Sequence, residues 1–289
     1  MNKVVVVTGT ASGLGKATVE KFSAEGWDVV ATVRKEADLG VHDGSPRVCT
    51  LLLDVNDESA AAGFAQQALA AFGRVDALVN NAGSYQMGPL EASTMEQIHS
   101  QFQTNLFGLI AVTKAFLPTF RAQRSGVVVN ISSLTAEQGY PYSSVYAASK
   151  AAVATLSEGL SMEMAEFGVA VRAIIPGQHA TRIFTKIDAA VDVPDEYQAG
   201  IESFFGVTPM TGSSPRVTAD AIYRTVIDPA LEQVRVYSGP ESTAIPDAKR
   251  ILGPQEYWTE FRSAAVGRPS ALWRTLVPAP GTEPLERDI

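Results

Sequence analysis

Tyr146 and Lys150, four residues apart in the run Tyr-Ala-Ala-Ser-Lys, would lie on one face of a helix, where an ammonium can stabilise a phenolate. Such a pair is an acid/base device. Thirteen residues upstream stands Ser133, in Asn-Ile-Ser-Ser at the end of an apolar run. Near the N-terminus a glycine-rich turn, Thr8 to Gly15, follows Val4 to Val7. Its glycines, Gly9, Gly13 and Gly15, permit tight backbone geometry and close approach of a pyrophosphate to a helix beginning near Gly13. The combination points to carbonyl/alcohol redox chemistry.

Those residues need a scaffold, and strand-like and helix-like stretches alternate along the chain. Val4 to Val7, Val29 to Val33, Val48 to Leu53, Ala77 to Val79, Val127 to Ile131 and Val169 to Ile174 read as strands. Gly13 to Ala24, Glu58 to Phe72, Met95 to Arg121 and Val145 to Glu166 read as helices. Strands of continuous Val, Leu and Ile are covered on both faces. The expected fold is therefore α/β, a doubly wound Rossmann-type parallel sheet of about seven strands flanked by helices on both faces. Ligands in such sheets bind at the carboxyl ends of the strands, so the turns after Val7, Val33, Leu53, Val79, Ile131 and Ile175 should converge on one crevice.

Residues 177–215 have no strong period, and a long segment of that kind in a compact domain predicts a substrate lid. A last helix over Val217 to Ile227 leads to the strand-like Gln233 to Tyr237. Residues 1–240 are expected to form a single catalytic domain, with 241–289 a C-terminal extension packed on it through Tyr257, Trp258, Phe261 and Trp273.

The spacing Thr-Gly-x-x-x-Gly-x-Gly, together with Asn80-Asn81-Ala82-Gly83, Ser133, the Tyr146 to Lys150 run and Pro176-Gly177, resembles the short-chain dehydrogenase/reductase family. The motifs occur in order from residue 4 to about residue 239, with 28 residues from Asn105 to Ser133 and 13 from Ser133 to Tyr146. The resemblance implies a catalytic tetrad of Asn105, Ser133, Tyr146 and Lys150. Tyr146 would protonate the carbonyl oxygen as hydride arrives from a nicotinamide, Ser133 would hold that oxygen, and Lys150 would also bind the nicotinamide ribose. Asn105, in the long helix, would anchor a water linking Lys150 to solvent. Ser132 is the rival for the serine role, and register favours Ser133. A free tyrosine titrates near ~10; lowering it by about three units needs roughly 4 kcal/mol, within reach of the ammonium and the oxidised nicotinamide acting together.

For the adenosine half, an acidic residue at the end of the second strand accepts a ribose 2′-OH, whereas a cation accommodates a 2′-phosphate. Here that position is Val33, followed by Arg34 and Lys35. NADP(H) is expected over NAD(H), with Arg34 on the phosphate and Ser12 within reach of it. Gly9, Gly13, Leu14 and Gly15 would cradle the pyrophosphate. By resemblance, Asp54 and Val55 would hold adenine, Asn81, Ala82 and Gly83 would line the ribose and nicotinamide path, and Pro176, Gly177 and Thr181 would close over the nicotinamide.

Hydrophobic residues make up 46% of the chain and charged residues 19%, which fits a globular body. The net charge of −8 argues against a nucleic acid or an anionic membrane as partner. Cys49 is the sole cysteine, so no internal disulfide forms, and His42 and His99 have no neighbours at metal-ligand spacing. The apolar start is too short for a signal or a bilayer span, so a cytoplasmic location is expected.

The substrate walls are expected from Tyr85, Met87, Tyr140, Tyr142, Phe184, Phe204 and Phe205, which favour a medium or bulky apolar ketone, aldehyde or secondary alcohol. By resemblance the chain would form a homodimer or homotetramer. Two other readings stand beside this one: an NAD-dependent dehydrogenase, disfavoured by Val33, and a non-catalytic dinucleotide-binding regulator, disfavoured by the intact tetrad.

Overall fold

The computed structural model of the chain describes residues 2–178, 187–207, 212–228 and 230–277. Its strands are β1 (Val4–Val7), β2 (Asp28–Val33), β3 (Val48–Leu52), β4 (Ala77–Asn80), the two-residue β5 (Gln86–Met87), β6 (Gly126–Ile131), β7 (Val169–Pro176), the two-residue β8 (Asp188–Ala189) and β9 (Arg235–Ser238). Among the described residues seven of them build one sheet in the order β3-β2-β1-β4-β6-β7-β9, and every neighbouring pair is parallel. The order reverses between β1 and β4, and that is where a doubly wound sheet opens a ligand crevice beyond its strand ends.

Alternation along β1 explains the layers. Val4 and Val6 join Phe64, Phe116, Phe120 and Met164 in one core, whereas Val5 and Val7 join Val19, Phe22, Trp27 and Ile222 in the other. The first core belongs to helices α2 (Ala60–Phe72), α4 (Gly108–Gln123) and α5 (Ser144–Ala165); the second belongs to α1 (Gly13–Ala24) and α7 (Pro215–Ile227). A strand buried on both sides has no use for polar alternation, which is why β1 is four valines in a row.

Three segments differ from the sequence expectation. The stretch expected as one helix from Met95 to Arg121 is α3 (Met95–Phe102), opened by a Thr94–Gln97 capping box, then a π-helical turn over Gln103–Phe107, then α4. Periodicity alone does not register a single wide turn inside an otherwise continuous helix. The 177–215 segment contains β8, paired in parallel with β5, and helix α6 (Gln198–Val207). Beyond β9 the chain is also helical: α8 (Pro240–Ala265) kinks at Gly253, φ 71°, ahead of Pro254, and α9 (Ala271–Leu276) folds back on it.

Ile245, Ala248, Tyr257, Phe261, Trp273 and Leu276 bury one another and pack against Leu134 and Tyr140, in the loop after β6. Lys249 Nζ donates to the carbonyl of Glu137, and Tyr257 Oη donates to Gln138 Oε1 at 2.9 Å. No helix among the described residues is long and apolar enough to cross a membrane.

Candidate active site

The glycine turn after β1 is shaped by contacts that a side chain would destroy. A Cβ on Gly15 would stand 2.3 Å from the carbonyl oxygen of Gly9, and one on Gly9 would stand 2.8 Å from Cα of Ala82. Gly9 and Gly13 hold positive φ, 71° and 59°. The turn is pinned to the end of β4: Thr8 Oγ1 accepts from the backbone N–H groups of Asn81 and Ala82, each at 3.0 Å, while Asn81 Nδ2 donates to the carbonyls of Thr8 and Gly9 at 2.8 and 3.0 Å. The first turn of α1 consequently faces the crevice at the β1/β4 reversal.

A cavity of about 930 Å³ occupies that crevice, and all six strand-end turns named above contribute to its wall. It is lined by Gly9, Ser12, Gly13, Leu14 and Gly15, by Arg34, by Asp54 and Val55, by Asn81, Ala82 and Gly83, and by Pro176 and Gly177. Ser133, Tyr146 and Lys150 line it as well. Thr181 lies outside the described residues, as does Phe184. Of the expected substrate walls, Tyr85, Met87, Tyr140, Phe204 and Phe205 face the cavity. Tyr142 does not line it; its ring packs edge-on to Phe204, centroids 5.9 Å apart, so it stands behind the wall.

Tyr146 and Lys150 lie one turn apart on α5, both buried. Ser133 stands beside the Tyr146 phenol and favours its ionised form, while its Oγ accepts from Thr135 N at 3.2 Å. Ser132 also lines the cavity, and its Oγ donates to the carbonyl of Lys150 at 2.8 Å. Lys150 Nζ donates to the carbonyl of Ile131 at 2.9 Å and lies 5.9 Å from the centre of the Tyr146 ring.

Within the polypeptide alone, desolvation is the largest influence on both groups. Burial pushes Tyr146 above the ordinary tyrosine range, opposed by the adjacent Ser133 side chain and reinforced by neighbouring Tyr85. Burial also lowers Lys150 to about 8. Each group, taken out of water, is pushed toward its neutral form.

Asn105 sits in the π-helical turn rather than mid-α-helix, and is buried. The wide turn directs its amide at the strand-end loop: Oδ1 accepts from Ser84 N at 2.8 Å, and Nδ2 donates to Ser84 O at 3.1 Å and Ser149 Oγ at 3.0 Å. The side chain thus ties the Gly83–Ser84 backbone to α5 beside Lys150; a Cβ on Gly83 would lie 3.2 Å from Asn105 Oδ1 and 3.6 Å from Lys150 Nζ.

Gln101 was not singled out from sequence, and the contacts of His42 and Tyr85 were not foreseen. Gln101, buried, accepts from Gln86 N at 2.5 Å and donates to Ser84 O at 3.0 Å, bracing the same loop from α3. His42, expected in an open loop, is buried with Nε2 3.1 Å from Thr10 Oγ1, supporting the glycine turn from beneath. Tyr85 Oη lies 2.6 Å from Ser143 Oγ. No local pattern marks these residues, because their partners are distant in sequence.

The short chain dehydrogenase family model matches residues 3–192. The chain belongs to the short-chain dehydrogenase family. Among the relatives of this short-chain dehydrogenase is the "uncharacterized oxidoreductase YusZ" of Bacillus subtilis, 32% identical over 247 residues, or 81% of this chain and 88% of that one. A short-chain dehydrogenase from Streptomyces avermitilis has the same fold, with a TM-score of 0.77 and 32% identity across 92% of this chain and 98% of its own. A solved structure described as ElxO with NADP bound aligns with a TM-score of 0.69 and 26% identity over 82% of this chain and 97% of its own. This short-chain dehydrogenase is accordingly an oxidoreductase acting between CH–OH and C=O groups.

Proposed function

We propose that the chain is an NADP(H)-dependent oxidoreductase that interconverts a medium-sized, largely apolar carbonyl compound and its secondary alcohol. The observation that carries this reading is that Ser133, Tyr146 and Lys150 line the same cavity as the glycine turn and Arg34. A dinucleotide fits these residues: Gly9 and Gly15 leave no room for a Cβ, so backbone alone meets the pyrophosphate beside the α1 N-terminus. When bound, the nicotinamide supplies or accepts the hydride.

The polypeptide handles the proton. Ser133 donates to the substrate oxygen and holds it against Tyr146, whose phenol gives its proton to that oxygen in reduction and takes it back in oxidation. Lys150 carries the positive charge that favours the phenolate, and Asn105 positions it by fixing the loop it faces. Burial makes the phenol a poor acid by itself, so the reading requires the cationic oxidised ring to supply the remaining stabilisation in the oxidative direction.

Preference for the 2′-phosphate rests on Arg34 and Lys35, both exposed, against the single carboxylate Asp38 on the same stretch of wall. Two cations outweigh one anion there, and Arg34 can bind two phosphate oxygens at once. The ElxO structure with NADP supports this choice. Met87, Phe204 and Phe205 give the substrate end an apolar lining, and we read the segment carrying α6 as the lid over it, on a domain to which α8 and α9 form an extension. A homodimer or homotetramer is part of the same proposal.

The experiment is a spectrophotometric screen following NADPH and NADH separately against diverse carbonyls. Turnover of apolar ketones with NADPH is expected; best turnover with small polar sugars and none with apolar ketones would overturn the substrate reading. Tight NADPH binding without turnover of any carbonyl or alcohol would favour a regulatory role.

A further inference from the structure

The Tyr85–Ser143 hydroxyl pair faces the cavity without a part in the chemistry above. Ser143 is the N-cap of α5, the position at which a serine oxygen ordinarily accepts from a backbone N–H of the first turn. Here its hydroxyl makes no capping bond and instead meets Tyr85 Oη at 2.6 Å. Both side chains are buried, Ser143 at 2% and Tyr85 at 9% exposure, yet both contribute to the cavity wall. A serine held away from its helix and turned toward a partner and a cavity answers to something other than helix stability.

The pair also stands beside the proposed proton donor. Ser143 precedes Tyr146 by three residues, so the two share a face of α5. The Tyr85 ring packs edge-on to the Tyr146 ring, centroids 4.4 Å apart. The cavity wall therefore carries Ser133 and Tyr146, the proposed reacting pair, and beside them the hydrogen-bonded hydroxyls of Ser143 and Tyr85. Each hydroxyl has one donor and two acceptor positions, so the bond between Ser143 and Tyr85 leaves the serine oxygen able to engage a further group. Burial pushes Tyr85 above the ordinary tyrosine range, which keeps it a neutral donor and acceptor.

We infer that Tyr85 and Ser143 form a second polar recognition point, and that the preferred substrate carries a hydroxyl or carbonyl oxygen close to the reacting carbon with an apolar remainder. The inference rests on the oxidoreductase reading and narrows its substrate class to hydroxy ketones and their diols or diketones. The apolar remainder lies against Met87, Phe204 and Phe205.

The test compares benzylacetone with the β-hydroxy ketone of the same carbon skeleton, both reduced with NADPH. In the wild-type enzyme kcat/KM should favour the hydroxylated ketone by about tenfold, the discrimination of one neutral hydrogen bond in a buried site. Ser143→Ala and Tyr85→Phe should bring that ratio to within about twofold of unity, and Ser143→Thr, which keeps a hydroxyl, should retain it. A wild-type ratio near unity overturns the inference, and so does a ratio that survives both variants while the two activities fall together, the mark of a structural role. Consumption of neither ketone would overturn the reductase reading too, whereas consumption of both at equal efficiency overturns only this inference.

Discussion

Lys150 Nζ is held by the carbonyl of Ile131, the last residue of β6, at 2.9 Å, and the same strand end leads directly to Ser133. Amine and hydroxyl are thereby referenced to one strand end, which fixes both relative to Tyr146.

Removing the phenol tests the proton step. Tyr146→Phe keeps the ring and its contact with Tyr85 but loses the proton, so kcat should drop by about 10²–10⁴ while the dissociation constant for NADPH changes less than about threefold. Steady-state turnover and fluorescence titration of the cofactor separate the two; near-normal turnover would remove the acid/base role.

Lys150 makes a pH prediction for the cofactor-free protein. Its folded pKa is lowered to about 8 from an ordinary 10.5, so between those values the unfolded chain holds a proton that the folded chain has released. Stability from this group therefore rises with pH across that window, and below it the cost of burying the charge is fully present. Lys249, also lowered, adds a slope of the same sign, so the comparison is between wild type and Lys150→Met. Urea unfolding at pH 8 and 10 should show the smaller gain in the variant; equal gains would mean that the amine is not desolvated.

Arg34→Ala should lower kcat/KM with NADPH by about tenfold to a hundredfold and leave NADH little changed, since the lost contact is to the 2′-phosphate alone. Raising the salt concentration should weaken NADPH binding to the wild type more than to the variant. A parallel loss with both cofactors would place Arg34 elsewhere in recognition.

Gly15→Ala puts a methyl 2.3 Å from Gly9 O and 2.5 Å from Asn81 Nδ2. The turn must shift off the end of β4, at a cost of about 1–3 kcal/mol, with loss of dinucleotide affinity measurable by titration. Unchanged affinity would show that the turn does not carry the pyrophosphate.

Asn105→Ala leaves Ser84 N–H, Ser84 O and Ser149 Oγ without the amide that now meets them. The fold should lose about 1–3 kcal/mol in urea unfolding, and turnover should fall with it because Gly83 and Lys150 lose their common brace. Retained stability would mean that water replaces the amide.

The sheet was legible because its strands are buried on both faces and therefore written as unbroken valine, leucine and isoleucine runs, β1 above all. The crevice was legible because glycines, Asn81 and Ser133 fall at strand ends, where a parallel sheet gathers its loops. Other features depend on partners far along the chain. The π-helical turn at Asn105 is determined by where Ser84 and Ser149 lie, not by its own neighbours. The setting of Lys150 depends on distant residues in the same way: spacing puts it one turn from Tyr146, but its amine is held by the Ile131 carbonyl at the end of β6. Helix α6 escaped detection because Gly200 and Gly206 interrupt its pattern, and α8 because Pro246, Gly253 and Pro254 are residues that normally end helices.

The aromatic cluster of α8 and α9 rests on Leu134, the residue immediately after Ser133, and on Tyr140, which faces the cavity. The far C-terminal helices and the proposed reaction centre thus share a foundation. Substitutions at Phe261 or Trp273, remote from any substrate, would be felt as altered selectivity as well as altered robustness, so directed evolution of this enzyme toward new ketones has a second set of positions to mutate outside the cavity.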